Sequence, residues 1–365
     1  MSYITSIGTA NPENKIPQST IANFMVKAMN LGADDERKLR ALHRMSGIEN
    51  RYSVLTDYGK QNNFEFYPNS DEAFPSTKQR LVLFQKHAVH LSVSASEKCL
   101  FKIPDFKKSE ITHLIVVSCT GMYAPGLDID LVKALGLKST IERTCINFMG
   151  CYAAFNAMKL ANSFCDQHTD AKVLIVCTEL CSIHFQKENT DDNLLANSLF
   201  ADGSAALLIE AKPRKGLNLK PISFFCDIAT EGEHDMAWTV GDLGFEMRLS
   251  SYVPEVIQSG IKKLTAALLQ KISQNFSDVS YFAIHPGGKK ILEAIEKELG
   301  ITKLQNHHSY EVLKNYGNMS SPTVLFVLNE VCKNLNGVDN GRKILSFAFG
   351  PGLTLESMVL EIQNL

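Results

Sequence analysis

Hydrophobic residues along the chain fall into two textures. Short continuous apolar runs, His113–Ser118 (HLIVVS), Lys172–Cys177 (KVLIVC) and Ser204–Ile209 (SAALLI), have the length of strands buried on both faces of a layered α/β structure. Longer stretches follow the helical period. Ser76–Cys99 carries Leu81, Leu83, Phe84, Ala88, Leu91 and Val93 and predicts a long helix. Tyr3–Gly8 predicts a strand, Ser19 is placed to cap a helix over Ile21–Met29, and a second helix is expected over Asp34–Met45. A β-type segment, Thr144–Phe148, runs into Gly150. Cys151 then opens a run (Ala153, Ala154, Ala157, Met158, Leu160, Ala161) that is apolar nearly all round and reads as a buried helix.

The second half repeats this texture. A strand over Tyr281–Ile284 enters His285-Pro-Gly-Gly and is followed by a helix over Lys289–Leu299. Asn315–Ser321 opens an apolar helix over Pro322–Val331, with proline in the first turn, where its missing N–H is harmless. Strands over Ile344–Phe349 and Leu353–Ile362 flank Gly350-Pro351-Gly352. Each half thus runs buried strand, glycine turn, apolar helix, buried strand, turn, buried strand. Cys151 lies 38 residues after His113 and Asn318 lies 37 after Tyr281 (151 − 113 and 318 − 281). The pattern predicts a duplicated α/β unit with two helix N-termini facing each other.

Bulk properties narrow the class. The 365 residues are 45% hydrophobic and 21% charged with a net charge of −2, an ordinary globular balance with no general attraction to nucleic acid or anionic membrane. Nine cysteines with no CxxC pair argue against a disulfide framework or structural zinc and fit a reducing cytosol. No apolar run approaches the ~18 residues of a membrane span, and the N-terminus lacks a signal-peptide pattern. A cytoplasmic location is expected. The run DERKLRALHRM places Arg37, Lys38, Arg40, His43 and Arg44 on one helix, which suits either a solvated face or a local phosphate patch.

Three residues sit where an apolar element ends in a glycine-rich turn: Cys151, His285 and Asn318. A thiol at a helix start meets the positive end of the helix dipole, which favours the nucleophilic thiolate, although free cysteine also commonly just packs in a core. A histidine can pair with that sulfur, and imidazole N–H and amide N–H together can bind an enolate or thioester oxyanion. Each has another possible duty, His285 as a hydrogen-bonded turn residue and Asn318 as a helix cap.

The segments around these residues resemble the type III polyketide synthases, the chalcone synthase superfamily of the thiolase fold. The resemblance is carried by GTANP (Gly8–Pro12), MSGIENRY (Met45–Tyr52), CTG with PG (Cys119–Gly121, Pro125–Gly126), GCYAAFNAMKLA (Gly150–Ala161), LFADGSAALL (Leu199–Leu208), HPGG (His285–Gly288), YGNMSSPTVLFVL (Tyr316–Leu328) and FGPGLTLE (Phe349–Glu356). It implies an αβαβα layered fold with pseudo-symmetric halves, residues 1–213 carrying the nucleophile and 214–365 the histidine and asparagine. It further implies that Cys151 takes a starter acyl group from coenzyme A, with His285 as its ion-pair partner. His285 and Asn318 would hold the malonyl thioester oxygen while CO2 leaves. Phe200 and Phe245 match gatekeeper positions, and Cys181, His184, Met236, Ser320 and Ala124 match cavity positions. Lys38, Arg44, Gly287 and Gly288 are the implied coenzyme A contacts, although Ala41 and Met45 replace basic residues of the plant enzymes. Cys181 and His184 replace threonines of the plant chalcone synthase, Met236 a glycine and Ala124 a methionine, which argues against a chalcone or stilbene product. No metal or organic cofactor is implied, the substrates being acyl-CoA and malonyl-CoA, and the family pairs as a homodimer. The competing reading on the same fold is a 3-oxoacyl-carrier-protein synthase III performing one condensation. A Cys/His/Asn hydrolase or a non-enzymatic scaffold leaves more of the pattern unexplained.

Overall fold

The computed structural model describes residues 1–68, 74–233, 235–250 and 253–365. In chain order the first half comprises β1 (Tyr3–Ala10), β2 (Asn14–Pro17), α1 (Gln18–Ala28), α2 (Ala33–Met45), β3 (Asn50–Ser53), α3 (Thr77–Leu100), β4 (His113–Ser118), α4 (Leu127–Leu135), β5 (Glu142–Asn147), α5 (Ala153–Gln167), β6 (Lys172–Leu180), α6 (Asp191–Leu199) and β7 (Asp202–Glu210). The second comprises β8 (Leu217–Ile228), β9 (Met236–Gly241), β10 (Gly244–Leu249), α7 (Val253–Gln270), β11 (Val279–Ile284), α8 (Lys289–Leu299), α9 (His307–Tyr316), α10 (Thr323–Asn334), β12 (Lys343–Gly350) and β13 (Thr354–Asn364).

Nine strands form one sheet in the order β11-β12-β13-β8-β1-β7-β6-β4-β5. Its two parts obey the same pairing rule. β1 pairs antiparallel with β7, β7 antiparallel with β6, and β6 parallel with β4. In the other half β8 pairs antiparallel with β13, β13 antiparallel with β12, and β12 parallel with β11. The parts join only through the pair Ile4↔Leu219 between β1 and β8.

Strand alternation then sorts side chains into layers. Leu114 and Val116 of β4 face a cluster that includes α1 and α3, while Ile115 and Val117 face the opposite way. In β12, Leu345 and Phe347 pack with α7 and α8, whereas Ile344 and Ala348 turn inward. The inward faces of both parts share one cluster with α5 and α10. The result is five layers, helix, sheet part, helix, sheet part, helix, with α5 and α10 in the middle, where their N-terminal halves are buried.

The predicted elements recur with shifted ends. Pro17, rather than Ser19, stands at the N-cap of α1, so Ser19 lies inside the helix. The long helix α3 begins one residue after Ser76, which caps it with a reciprocal Gln79 bond. Cys151 sits in a 3-10 turn (Gly150–Tyr152) ahead of α5, and Asn318 precedes α10 by a further turn.

Candidate active site

The nucleophile turn is built by contact between the halves. Gly150 has φ +77°, and a Cβ there would lie 2.2 Å from Pro351 Cδ, so only glycine fits against the Gly350-Pro351-Gly352 turn. The Gly150 N–H donates to Cys119 Sγ at 2.9 Å. His285 ends β11, its N–H donating to Phe347 O at 2.8 Å. Asn318 forms an isolated parallel bridge with Phe200, which fixes a gatekeeper position to a second-half residue.

These groups converge on one cavity, lined by Cys151, His285 and Asn318 with Cys119, Cys181, Phe200, Met236, Ser320 and Gly287 among others. Cys151 Sγ lies 3.9 Å from Asn318 Oδ1. Asn318 Oδ1 accepts from Ser320 N–H at 2.8 Å, and its Nδ2 donates to Gly287 O at 3.3 Å, leaving one amide N–H over. That use removes the helix-cap alternative: Pro322 is the N-cap of α10, and no side chain caps it. His285 is 1% exposed and neither ring nitrogen has a partner, so only its backbone takes part in the hydrogen bonding of the turn.

Burial dominates the electrostatics of the two groups. Burial pushes the Cys151 thiol up to about 12, against the lowering effect of the Ser320 and Asn318 contacts, and pushes the His285 imidazole down to about 3. The helix end does not outweigh desolvation. Desolvation thus favours the neutral form of each group, and no hydrogen bond links them.

A second cavity adjoins the first through shared walls at Cys181, Phe200, Trp238 and Met247. Phe245 and His184 line this second space. Four of the anticipated site residues line neither cavity. Lys38 pairs with Asp191 at the start of α6, and Arg44 has no partner among the described residues. Gly288 is the N-cap of α8, and Ala124 is exposed beside Pro125 on the surface. Two further cations of the basic run are engaged, Arg37 with Asp34 and Arg40 with Glu36.

Sequence reasoning missed Glu179, Trp238, Cys119 and Phe148. Glu179 is fully buried at the end of β6 and accepts from Cys119 N–H (2.9 Å), Thr120 N–H and Oγ1 (3.1 and 2.7 Å) and Ser321 Oγ (2.6 Å). It ties the loop after β4 to the loop before α10; burial raises its carboxyl. A lone carboxylate in the apolar run of β6 was the available clue. Phe148 has φ +60° and packs its ring on Phe245 at 5.1 Å.

The family profile "Chalcone and stilbene synthases, N-terminal domain" matches residues 1–213, and its C-terminal counterpart matches 225–363. The chain belongs to this family, the type III polyketide synthases. It is 32% identical over 368 residues to the "Alpha-pyrone synthesis polyketide synthase-like Pks18" of Mycobacterium tuberculosis, covering 99% of this chain and 91% of that one. A "Probable polyketide synthase 1" of Dictyostelium discoideum is 32% identical over 371 residues, which are 99% of this chain and 11% of that much longer protein. Among solved structures, PKS-I of the brown alga Ectocarpus siliculosus superposes with a TM-score of 0.90 at 28% identity, covering 99% of this chain and 98% of that one. The C-terminal type III polyketide synthase domain of Dictyostelium Steely1 gives 0.89 at 30% identity, covering 99% of each chain. The synthase is therefore an acyltransferase that condenses with decarboxylation, and the five layers are the thiolase-like architecture. Among the described residues no helix is long and apolar enough to cross a membrane, and no three His, Cys, Asp or Glu side chains gather as a metal site.

Proposed function

We propose that this synthase extends an acyl-CoA starter with malonyl-CoA units on Cys151 and releases an α-pyrone or a related small cyclic polyketide. The observation that carries the reading is the convergence of Cys151, His285 and Asn318 on one apolar cavity. Cys151 Sγ attacks the starter thioester carbonyl as its proton passes to His285; the S–C bond forms and coenzyme A leaves as the thiol. Malonyl-CoA then loses CO2, and the enolate oxygen is held by an imidazole N–H and the spare Asn318 N–H. The enolate carbon attacks the Cys151 thioester, expelling the sulfur and lengthening the chain by two carbons. Neutral donors suit this step, since charge develops on oxygen only in the transition state. The chemistry runs on coenzyme A thioesters without another cofactor.

Phe200 and Phe245 form the gate, Cys181, Met236 and Ser320 the cavity wall, and Gly287 a pantetheine contact. Lys38, Arg44 and Gly288 bind coenzyme A outside the cavity, Lys38 exchanging Asp191 for phosphate. The division at the β7–β8 connection assigns the nucleophile to residues 1–213 and its partners to 214–365. β5 is the outer strand of the sheet, with Cys145 exposed, and an unpaired edge of this kind supports a homodimer through which Ala124 approaches the partner. The iterative reading is favoured over a single carrier-protein-dependent condensation by the relatives, each named a polyketide synthase.

Incubation with malonyl-CoA and a panel of aliphatic and aromatic acyl-CoAs, followed by mass analysis, tests the proposal. Products heavier than the starter by several two-carbon units, and an acyl adduct on the protein that Cys151→Ala lacks, are expected. A single extension, or an adduct that persists in Cys151→Ala, refutes it.

A further inference from the structure

β9 and β10 form a hairpin that belongs to neither part of the main sheet. Met247 pairs with Trp238 and Leu249 with Met236, and these four residues wall the Cys151 cavity. Although it is second-half chain, the hairpin is fastened to the first half. Thr77 N–H donates to Asp242 O at 2.8 Å, Gly244 N–H to Thr77 Oγ1 at 2.8 Å, and Gln186 Nε2 to Phe245 O at 3.1 Å. Those contacts hold the hairpin tip. Nearer the cavity, Trp238 Nε1 donates to Cys119 O at 2.7 Å, and the Phe245 N–H donates to His184 Nδ1 at 2.9 Å.

The histidine is committed on every side. An amide can only donate, so Nδ1 is the acceptor and the ring proton lies on Nε2, which donates to Thr120 O at 2.7 Å. Thr120 is itself held by Glu179. One ring face lies on Phe245 at 4.3 Å and 7°, and Trp238 meets both rings edge-on at 5.9 Å. No polar atom of His184 is left for a substrate. Phenylalanine would keep the stack but leave the Phe245 N–H and Thr120 C=O buried and unpaired. Glutamine offers an amide but no ring to stack.

We propose that His184 is a positioning residue: it clamps Phe245 and Trp238 into a fixed aromatic wall and thereby sets the length of acyl chain the cavity accepts. This rests on the polyketide synthase reading of the site for its functional half, while the clamp itself is independent of it. Burial holds the imidazole neutral down to about 3, so the clamp keeps one tautomer across the working range.

Trp238 is the single tryptophan of the chain and reports the wall directly. In the full-length protein, His184→Phe and His184→Gln are expected to move Trp238 emission to the red, raise its quenching by acrylamide, and change the ratio of kcat/KM for dodecanoyl-CoA over hexanoyl-CoA by about tenfold. Variants with wild-type circular dichroism that keep wild-type emission, quenching and ratio overturn the proposal. If neither variant folds, ring 15N shifts of His184 in the wild-type protein decide: Nε2–H is expected, and Nδ1–H overturns it. A wild-type protein inert toward both thioesters and toward the whole aliphatic and aromatic panel overturns the proposed function, while emission, quenching and tautomer still judge the clamp.

Discussion

Cys151 is a thiol that its surroundings hold protonated, and His285 a base that its surroundings hold neutral. Proton transfer between them leaves the net charge of the pair unchanged, so its extent is independent of pH between about 3 and about 12. Alkylation of Cys151 by iodoacetamide should accordingly be flat across neutral pH in the wild type. In His285→Ala only free thiolate reacts, and the rate should rise about tenfold per pH unit. Thiolate absorbance in the difference between wild type and Cys151→Ala should be missing at neutral pH; a preformed ion pair would show it. Replacing Asn318 by Ala removes one oxyanion donor and should slow malonyl-CoA decarboxylation by about 10²–10³-fold. Cys151, His285 and Asn318 were legible because each ends an apolar element at a glycine turn. Their protonation states were not, because desolvation is set by what packs around them. Glu179 and Trp238 were equally hidden: their work lies in partners about 60 and 119 positions away in the chain.

At the level of elements, patterning located the buried strands β4, β6, β7, β11, β12 and β13 and the helices α3, α5 and α10. Continuous apolar runs mark both-face burial, which β4, β6, β7, β12 and most of β13 have and β11 has only over its last three residues. β8 escaped because it is half-buried along most of its length and has no clean period. The β9–β10 hairpin escaped for another reason. Its inward set mixes methionine, tryptophan and phenylalanine within two six-residue strands, too short for a period to declare itself. Two substitutions probe the elements that place the nucleophile and the long helix. Ser76→Ala removes the capping box of α3 and should cost about 1 kcal/mol in urea unfolding. Gly150→Ala adds a Cβ against Pro351 at positive φ and should cost about 2–4 kcal/mol, with loss of acylation because the turn must open.

For the molecule as a whole, His43, His184 and His285 are buried and each is pushed down to about 3 from 6.5. A depressed folded pKa contributes stability that is present above the unfolded value and lost as pH falls. Below 6.5 the unfolded chain binds three protons that the folded one refuses, a loss of about 4 kcal/mol on going from pH 7.5 to 5.5. Asp202 works the other way: burial raises it to about 6, which returns about 1 kcal/mol over the same interval. These four groups together predict a fall of about 3 kcal/mol in urea-derived stability; an unchanged midpoint would contradict it. The proposed homodimer is checked at this scale by gel filtration with light scattering, where a monomer mass at micromolar concentration would refute pairing through β5.

The main sheet is stitched across its middle by one residue pair, Ile4 with Leu219, while α5 and α10 both contribute to one shared core. A backbone break between β7 and β8 therefore severs no packed element. Each fragment alone would present its inner apolar face to water and precipitate. Produced together, they should find each other and regenerate the chamber, with sulfur on one polypeptide and imidazole and amide on the other. Such a bipartite protein would allow the hairpin-bearing fragment of one family member to be exchanged for that of another without touching the thiol.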